Sequence, residues 1–167
     1  MNEPDILLTK VVRPTLLTLD MYSHDAECLV LATAVIERQL LSGSNAPHKT
    51  GLYNISQSTH DDLWENFLEF RPEIVRKLCD IANQDLRKAS LENKFGLLQS
   101  SDSYATAICR LMYHRVPKSI PVSSDKEAMA LFWLKYFHSD KSAFANDLSM
   151  INDFKLIVAT AEASRQP

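Results

Sequence analysis

Glycine is scarce in this chain, with three residues in 167. No stretch alternates apolar and polar residues for long, which excludes an extended sheet as the main architecture. Cysteine is few as well, at Cys28, Cys79 and Cys109. None stands in a CxxC or a His/Cys spacing, so neither a metal site nor a disulfide framework is expected. Each falls on or beside the apolar side of a predicted helix, the usual setting of a buried free thiol rather than of a nucleophile. There is no surplus of basic residues. A net charge of −3 and a pI near 5.9 leave no footprint for nucleic acid, whose phosphates require a concentrated basic surface. The nearest basic cluster, Arg110, His114, Arg115 and Lys118, reads as a solvated helix end where cations suit the dipole, against an anion site as the other reading. No apolar run approaches the ~18 residues of a membrane span. The acidic start, Met1-Asn2-Glu3-Pro4-Asp5, lacks the basic region and long apolar core of a signal peptide. The expectation is a protein made in a cytoplasm and kept there unless another machine carries it out. Internal repeats and low-complexity stretches are missing too.

What is present is helical periodicity. A chain of this length is expected to form one domain, residues 1–167, burying roughly 70% of its unfolded surface. A composition of 46% hydrophobic and 23% charged residues is that of an ordinary globular protein. Residues 1–22 read as an N-terminal arm with a short apolar segment, Pro14 suiting a first helical turn. Ser23 reads as an N-cap, with Asp25 and Glu27 in the first turn. The helix that follows carries Cys28, Leu29, Ala32, Val35, Ile36 and Leu40 on one face and ends by Gly43. A polar loop over 42–58 comes next. Ser58 with Asp61 suggests a capping box for a helix to about Phe70. Arg71-Pro72 opens another, with Ile74, Val75, Leu78 and Ile81 inward. Residues 83–101 read as mixed, with a short helix and a loop at Gly96. Tyr104, Ala107, Ile108, Leu111 and Met112 give a three-four spacing. Pro117 to Pro121 reads as a linker. Ser124 with Glu127 suggests a second capping box, for a helix to about Phe137. A last helix carries Phe144, Leu148, Ile151, Phe154 and Val158, and residues 163–167 read as a flexible tail. The expected fold is mainly α: six to eight short helices in a compact domain with a cleft, rather than an up-down bundle of long, even helices.

One constellation carries chemistry. Glu37 lies near the end of its helix, and the loop after it closes on Gly51-Leu52-Tyr53-Asn54-Ile55, followed by Ser58-Thr59-His60. A carboxyl group at a helix end, facing a glycine-led turn, is one way to build a carbohydrate-cleaving site. These residues resemble a lysozyme-like, lytic-transglycosylase-related domain, and specifically a group of short phage-encoded proteins of that kind. In that family a helix ends in Glu-Ser, and a loop then leads to Gly-Leu-Met-Gln-Ile or Gly-Leu-Tyr-Gln-Ile and a Thr. Here Glu37, Gly51 to Ile55 and Thr59 stand in those places. The run Ser58 to Trp64, the run Tyr104 to Leu111 and the run Tyr113 to Pro117 also resemble the phage group, so the likeness extends over about residues 8–155. There are three departures. Arg38 replaces the Ser, Asn54 replaces the Gln, and Tyr136-Phe137-His138-Ser139 stands where many relatives have a sugar-positioning Tyr-Asn.

The resemblance implies cleavage of the glycan strands of peptidoglycan, with Glu37 as general acid and base. A proton donor of this kind needs an apolar setting, which Ile36, Leu40 and a covering Tyr53 would supply. Most glycosidases use two carboxylates. Asp61 and Asp62 are nearest in sequence, but acids in a first helical turn are expected for the dipole alone. One carboxyl group suffices when the muramoyl 6-hydroxyl attacks the anomeric carbon and leaves an anhydro sugar. Gly51, Leu52, Tyr53, Asn54 and Tyr104 are then the expected substrate-binding residues, with no metal and no cofactor. Tyr104 also fits a core position, His60 a cap region, and Trp64 and Trp133 core anchors. The resemblance further implies a component of a phage particle that acts at the bacterial cell wall beside other virion proteins. The competing expectations are a structural or adaptor protein that keeps the scaffold without catalysis, and an all-α interaction domain with no link to glycans.

Overall fold

A computed structural model describes residues 3–41, 49–138 and 147–163 of the chain. The fold is mainly α. Helix α1 (Glu3–Leu7), a π turn (Leu8–Val12) and α2 (Arg13–Thr18) run on as one helical body. The π turn has a local cause. Pro14 has no N–H to give and its ring crowds the carbonyl four residues back, so a wider turn upstream lets the helix continue through it. The segment read as an arm therefore packs as a helix, with Val12, Leu16 and Leu19 buried. Asp20, in the left-handed region at φ 56°, turns the chain toward Ser23. The Ser23 hydroxyl accepts from Ala26 N–H at 3.0 Å, as an N-cap does.

Helix α3 (His24–Leu41) is the centre of the molecule. Every residue from Ala26 to Ala34 is buried, the state expected of a helix whose apolar residues surround it instead of forming a stripe. Two short strands follow, β1 (Lys49–Thr50) and β2 (Ile55–Ser56), paired antiparallel with Thr50 opposite Ile55. Then come α4 (Gln57–Asn66), α5 (Pro72–Ala82), α6 (Leu91–Ser100), α7 (Asp102–Arg115), α8 (Lys126–Tyr136) and α9 (Asp147–Ala163), with 3-10 turns at Leu68–Phe70 and Leu86–Lys88. With α1 and α2 taken as one body, the described residues hold eight helices, at the upper end of the expected number. Helix α9 packs on both α3 and α8, while α7 packs on α2, α3, α5 and α6. The core thus forms on both sides of α3. Each large apolar side chain buried there, such as Leu29, Ile36, Leu111 or Phe154, contributes about 1.5–3 kcal/mol relative to exposure.

Several local expectations shift. Helix α4 is capped by Ser56, whose hydroxyl accepts from Thr59 N–H at 3.2 Å, two residues before the expected Ser58. The hairpin holds the chain extended up to Ser56, so the cap falls there. Helix α8 is capped by Asp125, which accepts from Ala128 N–H at 3.0 Å, one residue after Ser124. Gly96 lies inside α6, not in a loop, because Ser90 caps that helix and the apolar face continues through Leu97 and Leu98. On α9 the inward residues are Met150, Phe154, Val158 and Ala161, while Leu148 is exposed. Phe144, Gly43 and the tail beyond residue 163 lie outside the described residues. Among the described residues no helix is long and apolar enough to cross a membrane. Of the basic residues at the end of α7, Arg110 Nε donates to the Met21 carbonyl at 3.2 Å and Arg115 pairs with Asp62.

Candidate functional site

Helix α3 carries two glutamates that are almost wholly buried, and their surroundings differ. Glu27, in the first turn, is held by Arg13, with Nε at 2.6 Å from Oε1 and Nη2 at 3.4 Å from Oε2. Its charge is met by a cation, the usual condition for keeping a carboxylate out of water. Glu37, near the other end, is 3% exposed and has no Lys or Arg partner among the described residues. Three side chains surround it instead. Trp133 Nε1–H donates to Oε1 at 3.2 Å, and His138 Nδ1 stands 3.2 Å from the same oxygen. Asn54 Nδ2 lies 3.5 Å from Oε2, a long and weak contact. Oε1 is therefore held and Oε2 is the less engaged oxygen. Arg38 faces away and pairs with Glu3 at 2.8 Å on the surface, as adjacent helix positions point in different directions.

The turn after β1 explains why Asn54 reaches Glu37. Gly51 takes φ 78° and Asn54 takes φ 53°, and Asn54 N–H closes the turn on the Gly51 carbonyl at 3.2 Å. Asparagine accepts the left-handed region more readily than other non-glycine residues. That gives a backbone reason for asparagine at this position. Gly51 is fixed by space as well: a Cβ there would come within 2.2 Å of the Leu98 carbonyl oxygen on α6. The hairpin thus lies directly against α6. The Oδ1 atom of Asn54 is buried and has no hydrogen-bond partner among the described residues. It stands on the same amide that faces Glu37 Oε2.

The other expected binding residues sit deeper. Tyr53 is fully buried, and its hydroxyl lies 3.0 Å from Thr106 Oγ1 on α7. Burial drives its phenol well above the usual range. Leu52 is half-buried against the core. Tyr104 is fully buried, and its hydroxyl accepts from Trp64 Nε1 at 2.9 Å and lies 3.0 Å from His60 Nε2. Burial pushes its phenol well above the usual range. Its neighbours are His60 and Trp64 around a buried polar centre, with Phe95 edge-on to His60. Asp61 and Asp62 have partners of their own, His60 and Arg115. The hydrogen bond from Arg115 holds the Asp62 carboxyl below the usual range. The structure therefore brings Glu37 and Asn54 together, with Gly51 setting the turn, while Tyr53 and Tyr104 are buried in the core on other partners.

Two residues of the cluster, Trp133 and His138, were not among those expected at the site. Trp133 is fully buried, as a core anchor would be, and its N–H is directed to the carboxylate. Its ring lies between Phe154 of α9, at 5.0 Å and 19°, and His138, at 4.9 Å and 26°. The end of α8 makes this possible: Phe137 N–H and His138 N–H both bond the Trp133 carbonyl, at 2.9 and 3.0 Å. The chain curls back there and lays the imidazole on the indole. The available signal was the expectation that Tyr136 to Ser139 stands in place of a sugar-positioning Tyr-Asn. Below Glu37, burial first and the Glu37 charge second push the Cys109 thiol well above its usual range. Cys28, also buried, is pushed up to about 11, so neither thiol is an activated nucleophile. Among the described residues no group of His, Cys, Asp and Glu is arranged to hold a metal ion.

Chemically, the cluster is a single buried carboxyl group with one oxygen fixed by two nitrogens and the other facing an amide. It can give or take one proton at Oε2 while its orientation stays fixed. Compared with protein-family models, curated proteins and solved structures, the chain matches none.

Proposed function

We propose that this protein cleaves the glycan strands of peptidoglycan by the lytic-transglycosylase route, as a component of a phage particle, with Glu37 as its one acid and base. The observation that carries this reading is the contrast on α3. Glu27 is neutralised by Arg13, whereas Glu37 is equally buried with no Lys or Arg among the described residues and is oriented by Trp133, His138 and Asn54. A buried carboxyl group without a permanently charged partner costs stability, and such costs gather where a group works. The family resemblance independently assigns the acid to this position.

The chemistry follows from one carboxyl group. Protonated Glu37 gives its proton from Oε2 to the leaving oxygen of the bond between muramoyl and glucosaminyl sugars. The muramoyl 6-hydroxyl attacks the anomeric carbon as that bond breaks, and its proton returns to Glu37. The product is an anhydro sugar, and the enzyme ends as it began. The test is digestion of purified peptidoglycan with mass spectrometry of the products. Anhydro-muropeptides should form with the native protein and fall at least about a hundredfold with Glu37→Gln, the loss expected when a general acid is removed.

A second reading has its own support. Glu37 is 3% exposed with Oε1 already bonded twice, as suits a scaffold that keeps the fold and has lost the reaction. Folded protein that yields no anhydro product, yet occurs in fixed copy number in particles, would establish that adaptor role.

A further inference from the structure

A second candidate site lies on the α4, α5 and α6 side of the molecule. A groove of about 480 Å³ opens there, with Trp64 and Val75 in its apolar lining and Glu65, Glu69, Arg76 and Lys94 among its charged residues. Elsewhere charged side chains combine, as in Arg13–Glu27, Lys77–Asp20, Arg115–Asp62 and Lys126–Glu162. At the groove Arg87 is taken up by Asp85. The other four make no ion pair among the described residues. Lys94 Nζ instead sits 4.1 Å from the centroid of the Trp64 ring, a cation–π contact, and burial draws its ammonium below the usual range. The Trp64 N–H is occupied by Tyr104, so the 5% of this residue left exposed gives the groove an apolar edge and no donor.

Two cations and two carboxylates around an apolar lining complement a ligand that carries both signs. A phosphate-rich polymer or an anionic lipid surface would meet Glu65 and Glu69 as repulsion, and a neutral glycan would leave all four charges unanswered. A short peptide with free carboxylates, an amine and small methyl side chains meets each feature. We propose that this groove binds the stem peptide of peptidoglycan, a choice of polymer that rests on the glycosidase reading above. Arg76 and Lys94 face its carboxylates, Glu65 and Glu69 its amine, and the apolar lining, most open at Pro72 and Leu91, its alanine methyls.

The test is an NMR titration of the full chain with the free peptide L-Ala-γ-D-Glu-meso-diaminopimelate, reading the two indole N–H signals. The Trp64 signal should shift saturably while that of Trp133 stays in place. Lys94→Met, which keeps the apolar stem of the side chain, and Glu69→Gln should each weaken the peptide by about tenfold, and an all-L Ala-Glu-Lys peptide should bind the native protein about tenfold more weakly. No saturable shift at about 10 mM peptide, a shift at Trp133 alone, equal affinity for the all-L peptide, or unaltered binding by both variants would overturn the inference. Binding is read without cleavage, so failure here leaves the anhydro-product test untouched, and the reverse holds.

Discussion

Replacing Gly51 with alanine tests how the hairpin is held against the core. Two costs follow from the geometry. Gly51 has φ 78°, where an L-residue other than glycine loses about 1–2 kcal/mol. The added Cβ would stand 2.2 Å from the Leu98 carbonyl oxygen and 2.9 Å from its carbon. Both are backbone atoms of α6 and cannot rotate away, so the hairpin must move off the helix, at a further ~1–3 kcal/mol. Alanine restricts the unfolded chain and returns about 0.4–1 kcal/mol. The net expectation is a loss of roughly 1–4.5 kcal/mol, a large share of the 5–15 kcal/mol that holds a domain of this kind. Urea unfolding measures it: the midpoint should fall by about 0.5–2 M with the slope unchanged, given a slope near 2 kcal/mol/M. Gly96→Ala is the control. That position is inside α6 with nothing within 4 Å of a new Cβ, so it should gain about 0.5–1 kcal/mol. A loss below about 0.5 kcal/mol for Gly51→Ala, or a loss of similar size at both glycines, would refute the packing described here.

Three further expectations concern buried polar groups. Trp133→Phe keeps the ring between Phe154 and His138 but removes the N–H that holds Glu37 Oε1; urea unfolding should show a loss of about 1–3 kcal/mol. Burial, outweighing the Asp61 bond, lowers the His60 pKa from 6.5. The unfolded chain therefore takes up this proton first, and the His60 contribution to stability is full above pH 6.5 and declines as the pH falls through that value toward the folded one. Stability measured at a series of pH values between 7.5 and 5 should fall less steeply in His60→Gln than in the native protein, by at most about 1.4 kcal/mol per pH unit. For the thiols, Cys28 and Cys109 are buried and pushed up in pKa, whereas Cys79 is partly exposed. A thiol reagent on native protein should modify Cys79 first and reach the other two only after unfolding, as peptide mapping would show.

Helix content was legible because periodicity is a local property. The three-four spacing from Tyr104 to Met112 places α7 directly, and Ser23, with acids in the next turn, marks the start of α3. What was not legible depended on space rather than sequence neighbours. Gly96 suggested a break, yet Ser90 at the cap and the apolar face of α6 carry the helix through it. Pro14 suggested a start, but a π turn lets the preceding helix run into it. Ser58 and Ser124 had the right spacing for capping boxes, and the chain path sets the caps at Ser56 and Asp125 instead.

The candidate site divides in the same way. Glu37 and the turn at Gly51 to Asn54 stand out in the sequence because the spacing and the glycine do. The meeting of Asn54 with Glu37 needs the left-handed turn to form. Trp133 and His138 come from the far end of the chain, and only the curl after α8 and the packing of α9 bring them in. Nothing local marks either residue as a partner of a carboxylate on α3. Tyr104 shows the opposite effect: its spacing fits a helix face, and its hydroxyl is engaged by His60 and Trp64 inside the core.

The central claim is that Glu37 works as a lone acid and base on peptidoglycan. Its most direct measurement is the yield of anhydro-muropeptides from purified sacculi, compared between native protein and folded Glu37→Gln. The expected result is anhydro product from the native chain and at least about a hundredfold less from the variant. Equal product from both, or none from well-folded native protein, would contradict it.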